Sequence, residues 1–61
     1  MQKRTQILGV PYWVGVYQDE PGEWLVIGEV RGHPIEIADN NERVAIEKWR
    51  KKAEAYLAKA L

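Results

Sequence analysis

The segment from Tyr12 to Ala38 contains two largely apolar runs, 12–17 and 24–27, and a shorter alternating stretch at 35–37. Short apolar runs bounded by turn signals, and alternation over a few residues, both predict strands. Two turn signals divide the segment. Pro21-Gly22 favours a type II turn, because Pro presets φ at the first central position and Gly accepts a positive φ at the second. Gly32-His33 is a Gly-X pair suited to a type II′ hairpin. We therefore expect three antiparallel strands, the first from about Tyr12 to Gln18.

A helix is predicted directly after these strands. Asp39 can cap it, and Glu42 stands three residues later, as in a capping box. Apolar residues then recur at helical period: Ala45, Ile46, Trp49, Ala53, Tyr56, Leu57 and Ala60. Glu47 and Lys51 have the favourable i,i+4 spacing. The pattern predicts an α+β domain with a three-stranded antiparallel meander packed on one C-terminal helix (βββα). A chain of 61 residues forms a single domain, 1–61, with a frayed lead-in at 1–10, the sheet at 11–38 and the helix at 39–61.

The turns also predict which side chains share a face. Centring the first hairpin on Pro21-Gly22 pairs Gly15 with Gly28, and the second hairpin agrees with this register. The first face then collects Trp13, Gly15, Tyr17, Trp24, Val26, Gly28, Val30, Ile35 and Ile37. The paired glycines would leave a trough into which the helix can settle. A four-residue turn from Asp19 to Gly22 is the alternative, and it would shift this register.

The second face holds the other half of the segment: Tyr12, Val14, Val16, Leu25, Ile27, Glu29, Arg31, Glu36 and Ala38. Its apolar cluster stays uncovered if the chain has only one helix, and a contiguous patch of this kind usually marks an interaction surface. We expect a homodimer through this face or through strand edges. The candidate partner-binding residues are Tyr12, Val14, Val16, Leu25, Ile27 and Arg31. Alternatively, Ile7, Leu8 and Val10 fold back over the cluster.

Composition narrows the possible functions. The chain has no cysteine, which excludes disulfides and thiolate metal sites. Nine Lys and Arg balance nine Asp and Glu, so general attraction to nucleic-acid phosphates is weak. A sheet that reads DNA would also need bases on its strands, and Arg31 is the one base from Tyr17 to Ala38. No apolar run is long enough for a signal peptide or a membrane span, so we expect a cytoplasmic protein.

The sequence contains few candidate catalytic residues. His33 is the sole histidine, and its Gly-His-Pro context is explained by a turn. Glu29 and Glu36 would lie opposite each other on the second face with Arg31 nearby. Such a pair could transfer protons, but charges that discourage wrong strand pairing are the preferred interpretation. We therefore expect no enzyme, no catalytic residues, no cofactor and no metal.

The turn Asp19-Glu20-Pro21-Gly22-Glu23-Trp24 resembles the Asp-x-x-Gly-x-aromatic turn of the HicB antitoxin family. Asp39-Asn40-Asn41-Glu42 is similar to that family's helix start, and Ala55-Tyr56-Leu57 to its helix end. The resemblance covers Tyr12 to Leu57 and implies a protein-binding module, in that family a neutraliser of a small RNase toxin. Arg31-Gly32-His33-Pro34 departs from the Pro-Gly segment common in the family. The DNA-binding domain that follows the helix in the family has no counterpart among these 61 residues, so we expect no autoregulation through DNA.

A second resemblance points to a different class of partner. Gly15-Val16-Tyr17-Gln18 with Gly22-Glu23-Trp24 resembles the first hairpin of the arm-binding domains of tyrosine integrases and of the plant AP2 domain. Those domains bind DNA through a basic sheet face, which this chain lacks. The aromatic residues could instead stack on single strands, but most of them fall on the first face, where a core role accounts for them. The sequence thus predicts a non-enzymatic protein-interaction module, with nucleic-acid binding as the alternative.

Overall fold

Four strands and one helix make up the fold in a computed structural model that describes residues 1–59. They are β1 (Gln2–Ile7), β2 (Val10–Glu20), β3 (Glu23–Val30), β4 (His33–Asp39) and α1 (Glu42–Lys59). The strands form one antiparallel sheet in the order β1-β2-β3-β4. The helix α1 packs against one face of this sheet. The predicted α+β class and C-terminal helix are confirmed, whereas the predicted number of three strands is wrong.

The additional strand is β1, which lies in the segment predicted to be a frayed lead-in. Leu8 and Gly9 connect it to β2 with φ angles of 52° and 81°. Two positive φ values identify a type I′ turn, whose twist matches that of the flanking strands. The sequence pattern hid β1 because its inward positions include Lys3 and Thr5, which are not apolar. Lys3 is accommodated there because its ammonium group pairs with Glu42 of α1.

The second hairpin turns at Arg31-Gly32, not at the predicted Gly32-His33. These residues have φ angles of 53° and 77°, again a type I′ turn. Gly28 therefore pairs with Ile35 and not with the predicted Ile37. Because this displacement amounts to two residues, every β4 side chain stays on its predicted face.

The first hairpin contains the predicted turn and an unpredicted bulge. Glu20 pairs with Glu23 across Pro21-Gly22, and Gly22 has the positive φ, 85°, of a type II turn. The register then shifts between Gln18 and Glu20, which leaves Asp19 as an extra residue. A type II turn does not match the twist of the strands, and a bulge adds local right-handed twist. Gly15 consequently pairs with Ile27, so the predicted Gly15–Gly28 pair does not form.

The face of the sheet toward α1, hereafter the helix-side face, carries the core. Its buried residues together with those of α1 are Ile7, Val14, Val16, Val26, Val30, Ile35, Ala45, Trp49, Ala53 and Leu57. Trp49 lies at the centre, and its indole Nε1 donates a hydrogen bond to the carbonyl oxygen of Ile35 at 3.0 Å. Gly28 lies beneath the indole, where an added Cβ would be 2.6 Å from Cζ2 of Trp49. One of the two glycines of the predicted trough therefore does receive the helix.

The predicted apolar stripe of α1 is confirmed for Ala45, Trp49, Ala53 and Leu57, which are buried, and Ala60 lies outside the described residues. The cap differs from the prediction. Asn41 Oδ1 accepts a hydrogen bond from the amide nitrogen of Val44 at 3.1 Å, so Asn41 and not Asp39 caps the helix.

Two acidic residues, one just before α1 and one within it, have partners other than those that the sequence predicts. Asp39 accepts a hydrogen bond from Lys48, and Glu47 pairs with Arg50 and not with Lys51. Residues 1–59 include no helix long and apolar enough to cross a membrane.

Candidate functional site

The sheet face that points away from α1, hereafter the outer face, carries an exposed apolar cluster. Four large side chains form it: Trp13, Tyr17, Leu25 and Ile27. Trp13 is 63% exposed, Tyr17 49% and Ile27 38%, while Leu25 is partly buried. Tyr17 pairs with Leu25 across the β2–β3 ladder, and Gly15 pairs with Ile27. The four side chains therefore make one continuous patch across the two central strands.

Tyr17 is held over the glycine next to it on this face. A Cβ added to Gly15 would lie 2.7 Å from Cε2 of the Tyr17 ring. The missing side chain lets the ring lie flat along the sheet, which joins Trp13 and Tyr17 into one apolar surface. Gly15 thus contributes to the outer face, not to a trough for the helix.

The bulge at Asp19 decides which β2 residues belong to this surface. A shift of one residue moves every side chain of a strand to the opposite face. Val14 and Val16 were predicted as exposed partner-binding residues, but only 1% and 2% of their surfaces are accessible, and they pack under α1. The predicted exposure of both valines is therefore wrong. Tyr12 shares their parity and packs against the same core, so it too lies on the helix-side face.

The other three predicted site residues remain at the surface. Leu25 and Ile27 lie on the outer face as expected, because the register error concerned β2 and not β3. Arg31 is exposed in the β3–β4 turn at one end of this face. The residues missed by the sequence reasoning are Trp13 and Tyr17. No local signal identified them, because the alternative turn from Asp19 to Gly22 shifts the register by two residues and keeps the predicted faces, whereas the bulge shifts it by one.

The start of the chain does not fold back over the outer face. Ile7 is fully buried in the core on the helix-side face. Leu8 and Val10 are 63% and 51% exposed at the β1–β2 turn. The intramolecular cover considered as an alternative is therefore wrong, and the apolar cluster is open to solvent in the described structure.

Charged side chains border the apolar cluster on both sides. Arg4 of β1 pairs with Trp13 across the ladder. Glu36 of β4 pairs with Ile27, and Glu29 pairs with Pro34. Glu29 and Glu36 are therefore diagonal neighbours, not the directly opposed pair that the sequence predicted. The outer face therefore has Arg4 on its β1 edge and Glu36 on its β4 edge, with Glu29 on the central strand β3.

The surroundings of His33 form a second, smaller feature. Its ring stacks on Tyr56, with ring centroids 4.3 Å apart and an interplanar angle of 6°. Beside this stack lies a shallow cavity of about 190 Å³, lined by His33, Ile35, Lys52, Ala55, Tyr56 and Lys59. Ligand pockets usually measure about 300–1,000 Å³, so this cavity is small even for a modest organic ligand.

Ionisable groups elsewhere form no metal centre within residues 1–59. A hydrogen bond from Lys48, at 2.5 Å, lowers the pKa of the Asp39 carboxyl below its usual value. This pair joins the end of β4 to α1, so its role is explained by the fold. The outer face remains the strongest candidate site.

Comparison of the chain with family models, with curated proteins and with solved structures found no match.

Proposed function

We propose that this protein is a non-enzymatic interaction module that binds a protein partner through its outer face. The observation that supports the proposal is the exposure of Trp13, Tyr17 and Ile27 on one continuous sheet face. Aromatic residues are the side chains most enriched at the centres of protein interfaces. A partner with an apolar surface and charged groups at its margin fits this face. The HicB-like resemblance of the turn and helix start is consistent with the same function, with a small toxin as the partner.

The contrast in size between the two apolar sets of β2 strengthens this assignment. The buried set consists of valines, whereas the exposed set consists of Trp13 and Tyr17. Exposure of large aromatic rings to water is unfavourable, since each can remove roughly 150–250 Å² from solvent when buried. A partner that covers both rings would gain the free energy of burying their apolar surface. The valines are already buried by α1.

Site-specific photo-crosslinking followed by binding of purified proteins tests the proposal. A photoreactive amino acid replaces Trp13 in one variant and Leu8, an exposed apolar residue outside the face, in a control. We expect position 13 to yield a discrete adduct with another protein and position 8 to yield none. The captured protein is then purified, and we expect Ile27→Asp to weaken its binding at least about 100-fold, a loss typical of an interface hot spot, while Leu8→Asp binds normally. Equal crosslinking at both positions, or binding that ignores Ile27→Asp, would contradict the proposal.

Nucleic-acid binding is the second candidate, and the position of Trp13 and Tyr17 favours it more than the sequence did. Both rings are exposed on one strand, and Arg4 lies beside Trp13. Aromatic platforms with a neighbouring base can stack single-stranded nucleic acids. The acidic side chains of Glu29 and Glu36 on the same face oppose phosphate binding, which is why we rank this function second. Titration with short single-stranded and duplex oligonucleotides at low salt decides it, and salt-dependent binding lost in Trp13→Ala would support it.

A further inference from the structure

The two edges of the outer face carry charges of opposite sign that cannot meet within one chain. Arg4 is on β1 and Glu36 is on β4, at opposite edges of the sheet. With strands about 4.8 Å apart, the two positions are separated by about 14 Å across the sheet. In the described part of the chain, neither residue takes part in an ion pair. The apolar cluster lies between them.

This arrangement is complementary to itself. Turning a second copy by 180° about an axis parallel to the strands places its β4 over β1 of the first copy. Arg4 then lies over Pro34 of the second copy, and Glu36 of that copy is two residues away along the same strand, about 6.6 Å, where the two long side chains can meet diagonally. The symmetry repeats this contact at the other edge. The same rotation places Tyr17 over Leu25 of the second copy, since these residues face each other across the β2–β3 ladder.

We propose that the outer face binds a second copy of this chain, sheet to sheet, with β1 of each copy over β4 of the other. This inference rests on the proposed function, because it assigns one occupant to the same surface. Stacked sheets pack about 10 Å apart with their strands within about 30° of each other. Long side chains such as Arg4 can reach an acidic edge at that separation.

The size of the face predicts a weak dimer. Four strands at about 4.8 Å and three outward positions per strand at about 6.6 Å give roughly 400 Å² per copy. Two copies bury about 800 Å², which is less than the 1,200–2,000 Å² of stable complexes. The balance of nine basic and nine acidic residues means that copies do not repel each other through net charge. We therefore expect a dimer that forms only at high protein concentration and that competes with the protein partner for the outer face.

Sedimentation equilibrium of the full chain between about 20 µM and about 2 mM measures this association, a range chosen for the small interface. We expect the average mass of the wild type to rise toward that of a dimer. Arg4→Glu and Glu36→Arg should each raise the dissociation constant at least tenfold, because each creates two like-charge contacts. Ile27→Asp should also abolish association. Lys51→Glu, an exposed charge reversal on α1, should leave it unchanged, and circular dichroism verifies that every variant is folded.

Mixing the two charge variants gives the sharpest result. A copy with Glu at positions 4 and 36 and a copy with Arg at both positions attract each other at both edges of the interface. We expect an equimolar mixture of Arg4→Glu and Glu36→Arg to form heterodimers even though neither variant associates alone. A wild type that stays monomeric at about 2 mM, or a mixture that stays monomeric, overturns the inference. A dimer that persists in Ile27→Asp overturns it as well.

The two proposals fail in different ways. A monomeric wild type that still yields a partner adduct at position 13 would end this inference and leave the proposed function standing. Self-association with position-13 adducts that join only copies of this chain would support this inference and exclude a different protein as the partner.

Discussion

The two faces of the sheet are both apolar at their centres, yet they are built from different residues and treated differently by the fold. The helix-side face presents Val14, Val16 and Val26, each at most 2% exposed, to α1. The outer face presents Trp13 and Tyr17 to solvent. Hydrophobicity alone does not explain the division, because the exposed rings are larger than the buried valines. Close packing around Trp49 therefore determines the core, whereas the outer face is available for contacts with other molecules.

The largest expected difference comes from replacing one tryptophan of the core and one tryptophan of the outer face with alanine. Trp49→Ala should destabilise the fold by about 3–5 kcal/mol, since it removes a fully buried ring and its hydrogen bond to Ile35. A 61-residue domain has a total stability of about 3–9 kcal/mol, so this variant should lose a third or more of it. Trp13→Ala should cost less than about 1 kcal/mol, as is usual for an exposed position. Urea unfolding followed by circular dichroism measures both, and equal losses would show that the outer face also stabilises the monomer.

A matched pair of glycine substitutions tests the difference in packing between the helix-side face and the outer face. A Cβ at Gly28 would lie 2.6 Å from the Trp49 ring and 2.9 Å from Val14, in a packed interior that cannot move aside. Gly28→Ala should therefore cost about 1–3 kcal/mol. The three atoms nearest to a Cβ at Gly15 all belong to the Tyr17 side chain, which is exposed and can rotate away. Gly15→Ala should change stability by less than about 0.5 kcal/mol, and thermal unfolding of the two variants side by side checks the difference. A costly Gly15→Ala would mean that Tyr17 is rigidly held.

Substitution of the capping residue of α1 measures how much the cap contributes to the stability of the fold. Asn41→Ala removes the side-chain acceptor for the amide of Val44 and should cost about 1 kcal/mol. Asn40→Ala is the control, because Asn40 is exposed and does not cap the helix, and its effect should stay within about 0.5 kcal/mol. Chemical denaturation of both variants gives the two values. If Asn40→Ala proved the more damaging change, the assignment of the cap would be wrong.

The smallest expected effect concerns pH. The hydrogen bond from Lys48 lowers the pKa of Asp39 in the folded state below its usual value of 3.8. A lowered folded-state pKa contributes stability above the unfolded-state value, and this contribution is lost as the pH falls through the folded-state value. Asp39→Asn should therefore reduce the loss of stability on going from neutral pH to below the usual pKa. Unfolding free energies across this acidic range measure it, and Glu36→Gln on the outer face serves as the control. An unchanged pH dependence in Asp39→Asn would mean that Lys48 does not act on Asp39.

Much of the architecture could be predicted because its signals are local. The apolar stripe of α1 and the Pro21-Gly22 turn each depend on neighbouring residues, and both are present as expected. The strand β1 escaped prediction because Lys3 occupies an inward position and relies on Glu42, a residue far along the chain. A contact of that kind cannot be deduced from local alternation.

Of the candidate site, the β3 residues could be predicted from the sequence and the β2 residues could not. Leu25 and Ile27 were assigned correctly because they share their parity on β3 with an acidic residue, Glu29, whereas the other parity of the strand carries no charged residue. On β2 both parities are apolar, with Trp13 and Tyr17 at one and Val14 and Val16 at the other. Hydrophobic pattern cannot choose between them, and the choice is made by the single bulged residue, Asp19.

The bulge also determines how this hairpin responds to insertions and deletions. Losing Asp19 would remove the bulge but leave Gln18 opposite Trp24, so the side chains of β2 that precede it would keep their faces. A chain with nearly the same strand sequence but without the extra residue would therefore present the same rings outward. Aligning two such hairpins without a gap would match buried positions with surface positions and transfer the wrong interface from one to the other. Related chains are therefore best aligned on β3, whose register to β4 is continuous from Trp24 to Val30.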